Sequence, residues 1–320
     1  MNVDPMHTAI VGVDVGGTTM AAGVVTCAGE VIVDERAPTR GGAAGDPLDA
    51  IVASIRRVTG EAERRRYTIG AIGVGVPGPV DAARGRVGEP VNHVPGLAGR
   101  PLAEELTAQV GLPIFLDNDV NTLALGELMF GAGRGARSIV VLAAGTGFGA
   151  GIVLDGRLVR GAVGFGGELG HVPIRFDGPR CWCGGRGCLA LYASGRGIAD
   201  AARAAGGPTA ITAQEVFRAA AHGDAVAVSV VDEACQAIGA MIGTVVNGLN
   251  PEVVVVTGGV ARSLVPLEAR IRAAAAEYAF AAALATTRVV IVTGDKRVGV
   301  RGAAALALYE RDLKSRGISA

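Results

Sequence analysis

Net charge is the first thing this sequence lacks: 30 Lys and Arg balance 30 Asp and Glu, and only Lys296 and Lys314 are lysines. A neutral chain exerts no overall pull on nucleic acid or an anionic membrane, so neither is expected as a partner. Cysteine is scarce too. Five is an odd number, and Cys27 and Cys235 lie in apolar stretches, which argues against a secreted disulfide framework. No apolar run is long and Gly-free enough to span a bilayer, and Met1 to Gly17 shows no basic start followed by an apolar core and cleavage site. The expected location is therefore cytoplasmic. Also missing is any G-x-x-x-x-G-K-[ST] run, which excludes a P-loop.

What is present suits a globular chain of two domains: 320 residues, 50% hydrophobic and 19% charged. Short β-type runs open it, "TAIVGVDVG", "MAAGVVTCAG" and "EVIVDERAP", separated by glycine turns as in a meander. Apolar residues at helical spacing (Leu48, Ile51, Val52, Ile55, Val58) after Asp46-Pro47 predict a helix over 46–65. A buried strand "IGAIGVGVPG" follows, then a helix over 101–110, a strand "PIFLDND" and a helix over 120–130. "SIVVLAAGTGFGAGIVLDG" repeats the opening theme, which suggests two related lobes. Beyond the cysteine segment, helices are expected over 197–205, 213–222 and 225–249, then strands "EVVVVTGGVA" and "RVVIVTGD", and a closing helix over 300–313.

Three glycine turns can meet phosphate. In "DVGGTT", Gly16 and Gly17 let backbone N–H groups approach an anion, Thr18 and Thr19 offer hydroxyls, and Asp14 can hold hydrated magnesium; the plainer alternative is a hairpin turn. Gly145, Thr146 and Gly147 form a second such turn, able with the first to clamp the two ends of a triphosphate, and Gly258 and Gly259 a third, suited to packing against a flat base. His171, Cys181, Cys183 and Cys188 supply four ligands for closed, structural tetrahedral zinc; the alternative is three free thiols and an unrelated histidine. "LDNDVN" places Asp117, Asn118 and Asp119 at a strand end. There one carboxylate can take a proton from an attacking hydroxyl, and Asn or Asp can equally cap a helix. Spacing does not choose between the two aspartates.

With these residues assembled, the chain resembles, over essentially its full length, the ROK family of bacterial sugar kinases. That resemblance implies an α/β fold of two actin-like (ribonuclease H-like) lobes with the active site in the cleft between them. The expected division is 1–118 plus 303–320 for the first lobe and 119–302 for the second. It implies ATP with magnesium as cofactor, a structural zinc, a homodimer, and phosphoryl transfer to the primary hydroxyl of a hexose such as glucose. Residue by residue, it makes Asp119 the base and Asn92, Asn118, Glu168 and His171 sugar contacts, the last through the "ELGH" stretch. Asp14, Gly16, Gly17, Thr18, Thr19, Gly145, Thr146, Gly147, Gly258 and Gly259 fall to magnesium and ATP. The chain departs from the family at "GCLA", where the usual glutamate is Ala190, and at Gly96-Leu97, where "GW" is usual and the change is expected on the sugar side. A missing carboxylate at the anomeric end raises a seven-carbon cyclitol as an alternative acceptor. Many family members are sugar-responsive repressors with a helix-turn-helix ahead of the phosphate motif. Only about a dozen residues precede Asp14, so that reading is not expected here.

Overall fold

Strand alternation decides which side of the first sheet meets which helix. In β1 (Thr8–Val15), Ala9, Val11, Val13 and Val15 point into one apolar cluster, while Ile10 points into another on the opposite side. The computed structural model describes residues 8–40, 45–91, 93–294 and 297–318; Asn92 lies outside them. The chain divides into two compact units, the first Met1–Gly135, Leu158–Gly166 and Asp295–Ala320, the second Ala136–Arg157 and Gly167–Gly294.

In the first unit β1 is joined by β2 (Thr19–Thr26), β3 (Val31–Pro38), α1 (Pro47–Arg64), β4 (Thr68–Val76), the short pair β5 (Val80–Asp81) and β6 (Arg86–Val87), α2 (Leu102–Val110), β7 (Ile114–Asn118) and α3 (Asp119–Phe130). The sheet order is β3-β2-β1-β4-β7, antiparallel through the β1–β2–β3 meander and parallel from β1 to β4 to β7. Helix α1 starts where Asp46 accepts from the Leu48 N–H, with Pro47 at the first position, and it lays Leu48, Ile51, Ile55 and Val58 on the larger cluster. Leu97 is fully buried in that same cluster, so the residue that departs from the family's "GW" falls in the core, while Gly96 is exposed.

The second unit repeats the plan. β8 (Ile139–Ala144) and β9 (Phe148–Leu154) form a hairpin, β10 (Arg157–Leu158) lies outside them, and the sheet order is β10-β9-β8-β11-β12. Helices α4 (Ala190–Ala193), α5 (Gly195–Ala204), α6 (Ala213–Ala221) and α7 (Ala225–Leu249) precede β11 (Val253–Thr257). Helices α8 (Ala261–Leu264), α9 (Glu268–Tyr278) and α10 (Ala281–Thr286) precede β12 (Arg288–Ile291). Both β11 and β12 are parallel to β8. Helix α7 is apolar and long enough to cross a membrane by length and composition, but Ala234, Ile238, Met241, Ile242 and Val246 are buried in this unit, where α4, α5, α6 and α9 pack on it.

The closing helix α11 (Val298–Ser315) lies on the first unit's sheet. It comes so close that a Cβ at Gly73 would fall 1.7 Å from the Ala303 carbonyl oxygen, and one at Gly12 2.1 Å from that of Val300. Only glycine permits this approach. Helix α3 packs on α11 in the same way, Gly126 against Gly302, and for that reason 119–135 and 295–302 fall in the first unit. The expected divisions after Asn118 and before Ala303 therefore move, and Leu158–Gly166 also joins the first unit.

Candidate functional site

Alternation along β1 places Asp14 on the α11 side, two and four residues beyond Gly12 and Ile10. Its carboxylate lies against the first turn of α11, where a Cβ at Gly299 would fall 2.0 Å from Oδ2. Burial pushes the Asp14 carboxyl above the ordinary aspartate range, and the charge of Arg36 offsets this only in part. A desolvated carboxylate with room kept beside it fits a hydrated cation. The turn that follows is closed by the Gly16 N–H donating to the Thr19 carbonyl at 3.1 Å. The fully buried Thr39 reinforces it: its hydroxyl donates to the Gly16 carbonyl at 2.7 Å and its N–H to that of Thr18 at 3.0 Å. Thr18 and Thr19 are exposed, as an anion-binding turn requires.

At the end of β7 the two aspartates part. Asp117 is 1% exposed; its Oδ1 accepts from the Asn118 N–H at 2.7 Å and from Asn121 Nδ2 at 2.8 Å, and its Oδ2 from Arg160 Nε at 2.7 Å. Arg160 Nη2 donates in turn to Glu310 Oε1 at 2.5 Å. Asn118 caps α3, its Oδ1 accepting from the N–H groups of Val120 and Asn121 while its Nδ2 donates to the Gly78 carbonyl. The capping alternative thus describes Asn118, which keeps one amide N–H for another partner. Asp119 follows at the first position of α3, half-buried, its Oδ1 accepting from the Val120 N–H at 2.9 Å. Of the two carboxylates, Asp117 is thus enclosed by an arginine, an asparagine and a backbone N–H. Asn92, the remaining residue expected on this unit, lies outside the described residues.

The second unit brings two of the three glycine turns together. Gly145, Thr146 and Gly147 join β8 to β9, with the Gly145 N–H donating to the Gly147 carbonyl. Gly258 and Gly259 follow β11, which pairs with β8, and the Val260 N–H reaches the Ala144 carbonyl at 2.9 Å. The helix expected over 197–205 is α5, which starts two residues earlier; what was not foreseen is that its start, capped by Ser194, lies against the same turn, its Gly195 and Arg196 N–H groups donating to the Gly145 and Thr146 carbonyls. The signal was Ser194-Gly195 ahead of a helical pattern. Two grooves of this unit, about 560 and 590 Å³, contain none of the expected residues.

Glu168 immediately precedes the short turn Leu169–His171. From there the loop brings His171, Cys181, Cys183 and Cys188 together, with all four ligand atoms within 4.8 Å of one another. His171 Nδ1 stands 3.6 Å from Cys181 Sγ, and the Sγ atoms of Cys183 and Cys188 are 3.7 Å apart. Zinc bonds of about 2.3 Å to sulfur and 2.0–2.1 Å to nitrogen imply tetrahedral edges of about 3.8 and 3.6 Å, so the donors fit that ion. The Gly185 N–H points at Cys183 Sγ, and a Cβ at Gly185 would sit 3.3 and 3.4 Å from the sulfurs of Cys183 and Cys188. Burial, followed by the neighbouring Cys181 and Cys183, pushes the Cys188 thiol up to about 12. Trp182 sets its ring edge-on to His171 at 6.2 Å, and the Arg196 guanidinium lies over it at 4.9 Å. Ala190, two residues after Cys188, is fully buried at the start of α4, and its carbonyl accepts the Ser194 hydroxyl at 2.6 Å.

Comparison with known proteins gives these arrangements a context. A family profile described as ROK family matches residues 10–310. A glucokinase of Thermotoga maritima is 34% identical over 311 residues, 93% of this chain and 96% of that protein. A ROK family glucokinase from Streptomyces griseus, solved with glucose and AMPPNP, superposes with a TM-score of 0.76 at 31% identity, covering 93% of this chain and 98% of that one. A xylose repressor of Caldicellulosiruptor bescii is 32% identical over 267 residues, 78% of this chain and 65% of the repressor.

Proposed function

Since the chain belongs to the ROK family and is a sugar kinase of actin-like fold, we propose that it transfers the γ-phosphoryl of ATP to the primary hydroxyl of a hexose, glucose first. The observation that carries this reading is the division of labour at the end of β7. Asp117 is enclosed by Arg160 and Asn121, and Asp119 is held at the head of α3 in the unit that also carries the Asp14 turn. In this reading an Asp119 carboxylate oxygen takes the proton of the primary hydroxyl as that oxygen attacks phosphorus. The α3 N-terminus favours the ionised carboxylate that the step requires. Asn118, Glu168 and His171 orient the sugar ring, joined by Asn92.

The turn Asp14–Thr19 and the turns at Gly145–Gly147 and Gly258–Gly259 receive ATP by backbone N–H groups and threonine hydroxyls. Asp14 would hold magnesium, which neutralises phosphate charge when bound. His171, Cys181, Cys183 and Cys188 would hold zinc, whose closed donor set makes it a fastener for the loop carrying Glu168 and His171. A cytoplasmic homodimer is the setting expected for this reading.

Ala190 leaves a specificity question within the hexose class, because the family's usual carboxylate is absent there. The cyclitol alternative gains no support from the relatives above. A coupled ADP-release assay with magnesium-ATP against glucose, mannose, N-acetylated hexosamines and cyclitols tests the proposal. Turnover of a hexose is the expected result. ADP release with none of them favours a sugar-binding protein without catalysis, and turnover of cyclitol alone displaces the hexose.

A further inference from the structure

The buried ion cluster at the end of β7 has a shape that packing alone does not require. Arg160 has 14% of its side chain exposed, and the carboxylates it bridges, Asp117 and Glu310, have 1% and 10%. Taking three charges out of water is costly, and apolar residues of similar volume commonly stabilise a fold as well or better. The arrangement does, however, orient groups. Arg160 uses Nε on Asp117 Oδ2 and Nη2 on Glu310 Oε1, so one planar guanidinium joins the end of β7 to α11. With Oδ2 held there, Asp117 Oδ1 faces the Asn118 N–H and Asn121 Nδ2. Asn121 keeps its amide N–H on Asp117 although its own Oδ1, buried, has no hydrogen-bond partner among the described residues. Asn118 then caps α3 and Asp119 projects from its first position.

Arg160 is itself firmly placed. It sits on Leu158–Gly166, a short segment of the first unit. The Leu158 N–H donates to the Tyr309 hydroxyl at 3.0 Å, the Tyr309 ring lies 6.0 Å from the Arg160 guanidinium, and a Cβ at Gly164 would fall 2.5 Å from the Val80 carbonyl oxygen. We propose that Arg160 is a positioning residue for phosphoryl transfer: through Asp117 it fixes the turn from which Asp119 meets the sugar hydroxyl. The inference rests on Asp119 being the base, and Arg160 touches neither substrate in it.

The test compares wild type with Arg160→Lys, Arg160→Met and Glu310→Gln, measuring kcat and KM by ADP release, glucose binding by calorimetry, and Tm. A displacement of about 1 Å at a reacting group costs about a hundredfold in rate. Both Arg160 variants should therefore lose about 10- to 100-fold in kcat, with a much smaller loss of glucose binding, below about fivefold, through the Asn118 contact on the same turn. Lysine keeps the charge but cannot span both carboxylates, so it should not rescue. Glu310→Gln leaves the Arg160–Asp117 contact in place and should keep kcat within about threefold while losing Tm as the arginine variants do. Should Arg160→Met fail to fold, Arg160→Lys decides. Arginine variants with wild-type kcat, or a kcat loss in Glu310→Gln that follows its Tm, overturn the inference. A wild-type protein that phosphorylates no sugar overturns the kinase reading, and this inference with it.

Discussion

Asp119 stands at the first position of α3, its Oδ1 accepting from the Val120 N–H, and an amide in its place keeps the size of the side chain but removes its basicity. Asp119→Asn should lower kcat by about 10²–10⁴ with KM for glucose and ATP nearly unchanged, because proton removal is a transition-state contribution. Steady-state kinetics measure this, and full phosphoryl transfer by the variant would remove Asp119 from the role. The choice between Asp117 and Asp119 could not be read from "LDNDVN" itself. Arg160, which encloses Asp117 and so favours Asp119 in the proposed assignment, lies 43 residues further along the chain, a tertiary contact that local spacing does not carry. Ala190 is the second informative residue. Placing glutamate at this fully buried position strands a carboxylate in the free protein and, in the proposed reading, supplies an acceptor to a sugar hydroxyl in the complex. Ala190→Glu should therefore lower Tm without sugar and lower KM for glucose about tenfold, the equivalent of one hydrogen bond to a charged group. Thermal melts with and without glucose, beside kinetics, separate the two effects; a lower Tm with no gain in glucose affinity would show that residue 190 does not face the sugar.

Among the elements, the loop 171–188 is held by backbone hydrogen bonds, such as those from the Ile174 and Gly187 N–H groups to the Gly187 and Pro179 carbonyls, and by an Arg175–Glu233 ion pair, but it lacks an apolar core of its own beside the donor cluster. Phe176 is 88% exposed and Trp182 42%, and the bridges Pro173 to Cys188 and Arg180 to Arg186 are isolated. Purified protein should carry about one zinc per chain, and chelation should lower Tm and remove sugar turnover together. Trp182 is the only tryptophan and lies against His171, so its emission should change as metal leaves. Metal analysis finding no zinc, with unchanged activity, would refute the site. This element was legible in advance because ligand type and spacing are local properties. Helix α7 was equally plain, bounded as expected at Ala225 and Leu249 by Asp224 as its cap and by Asn250 at its end. Helix α9 was not foreseen. Its "EARIRAAAAEY" sequence gives weak contrast between faces, and it is fixed by packing on α7, where Gly239 meets Ala274 and Ala275.

For the whole chain, the repeated strand–turn–strand theme suggested two related lobes, since hairpins are written in local glycine turns, and the structure adds that their five-stranded sheets share one strand order. The unit boundaries were not announced, because α3 and Leu158–Gly166 are assigned by what they pack against. Both units hold carboxylates that acid will disturb. In the first, burial works to raise Glu35 and Asp46, but hydrogen bonds from Arg57 and Ser54, and from Arg100 and the Leu48 N–H, together with the arginine charges, bring each below its ordinary range. In the second, the N–H groups of Arg137 and Ser138 hold Glu252 low, tying it to the residues just ahead of β8. Each binds its proton more weakly folded than unfolded. Their contribution is therefore complete above the ordinary carboxylate values, 4.5 for glutamate and 3.8 for aspartate, and is lost as pH falls below them. Asp14 runs the other way: raised by burial, it opposes folding once ionised, a cost relieved by its proton or by a bound cation. Melts between pH 3 and 7 should show Tm nearly level above about pH 5 and falling below about pH 4.5. Added magnesium should raise Tm near neutral pH and lose its effect in acid, as the Asp14 proton competes for the same oxygens. A magnesium effect that survives Asp14→Asn at neutral pH would place the cation elsewhere.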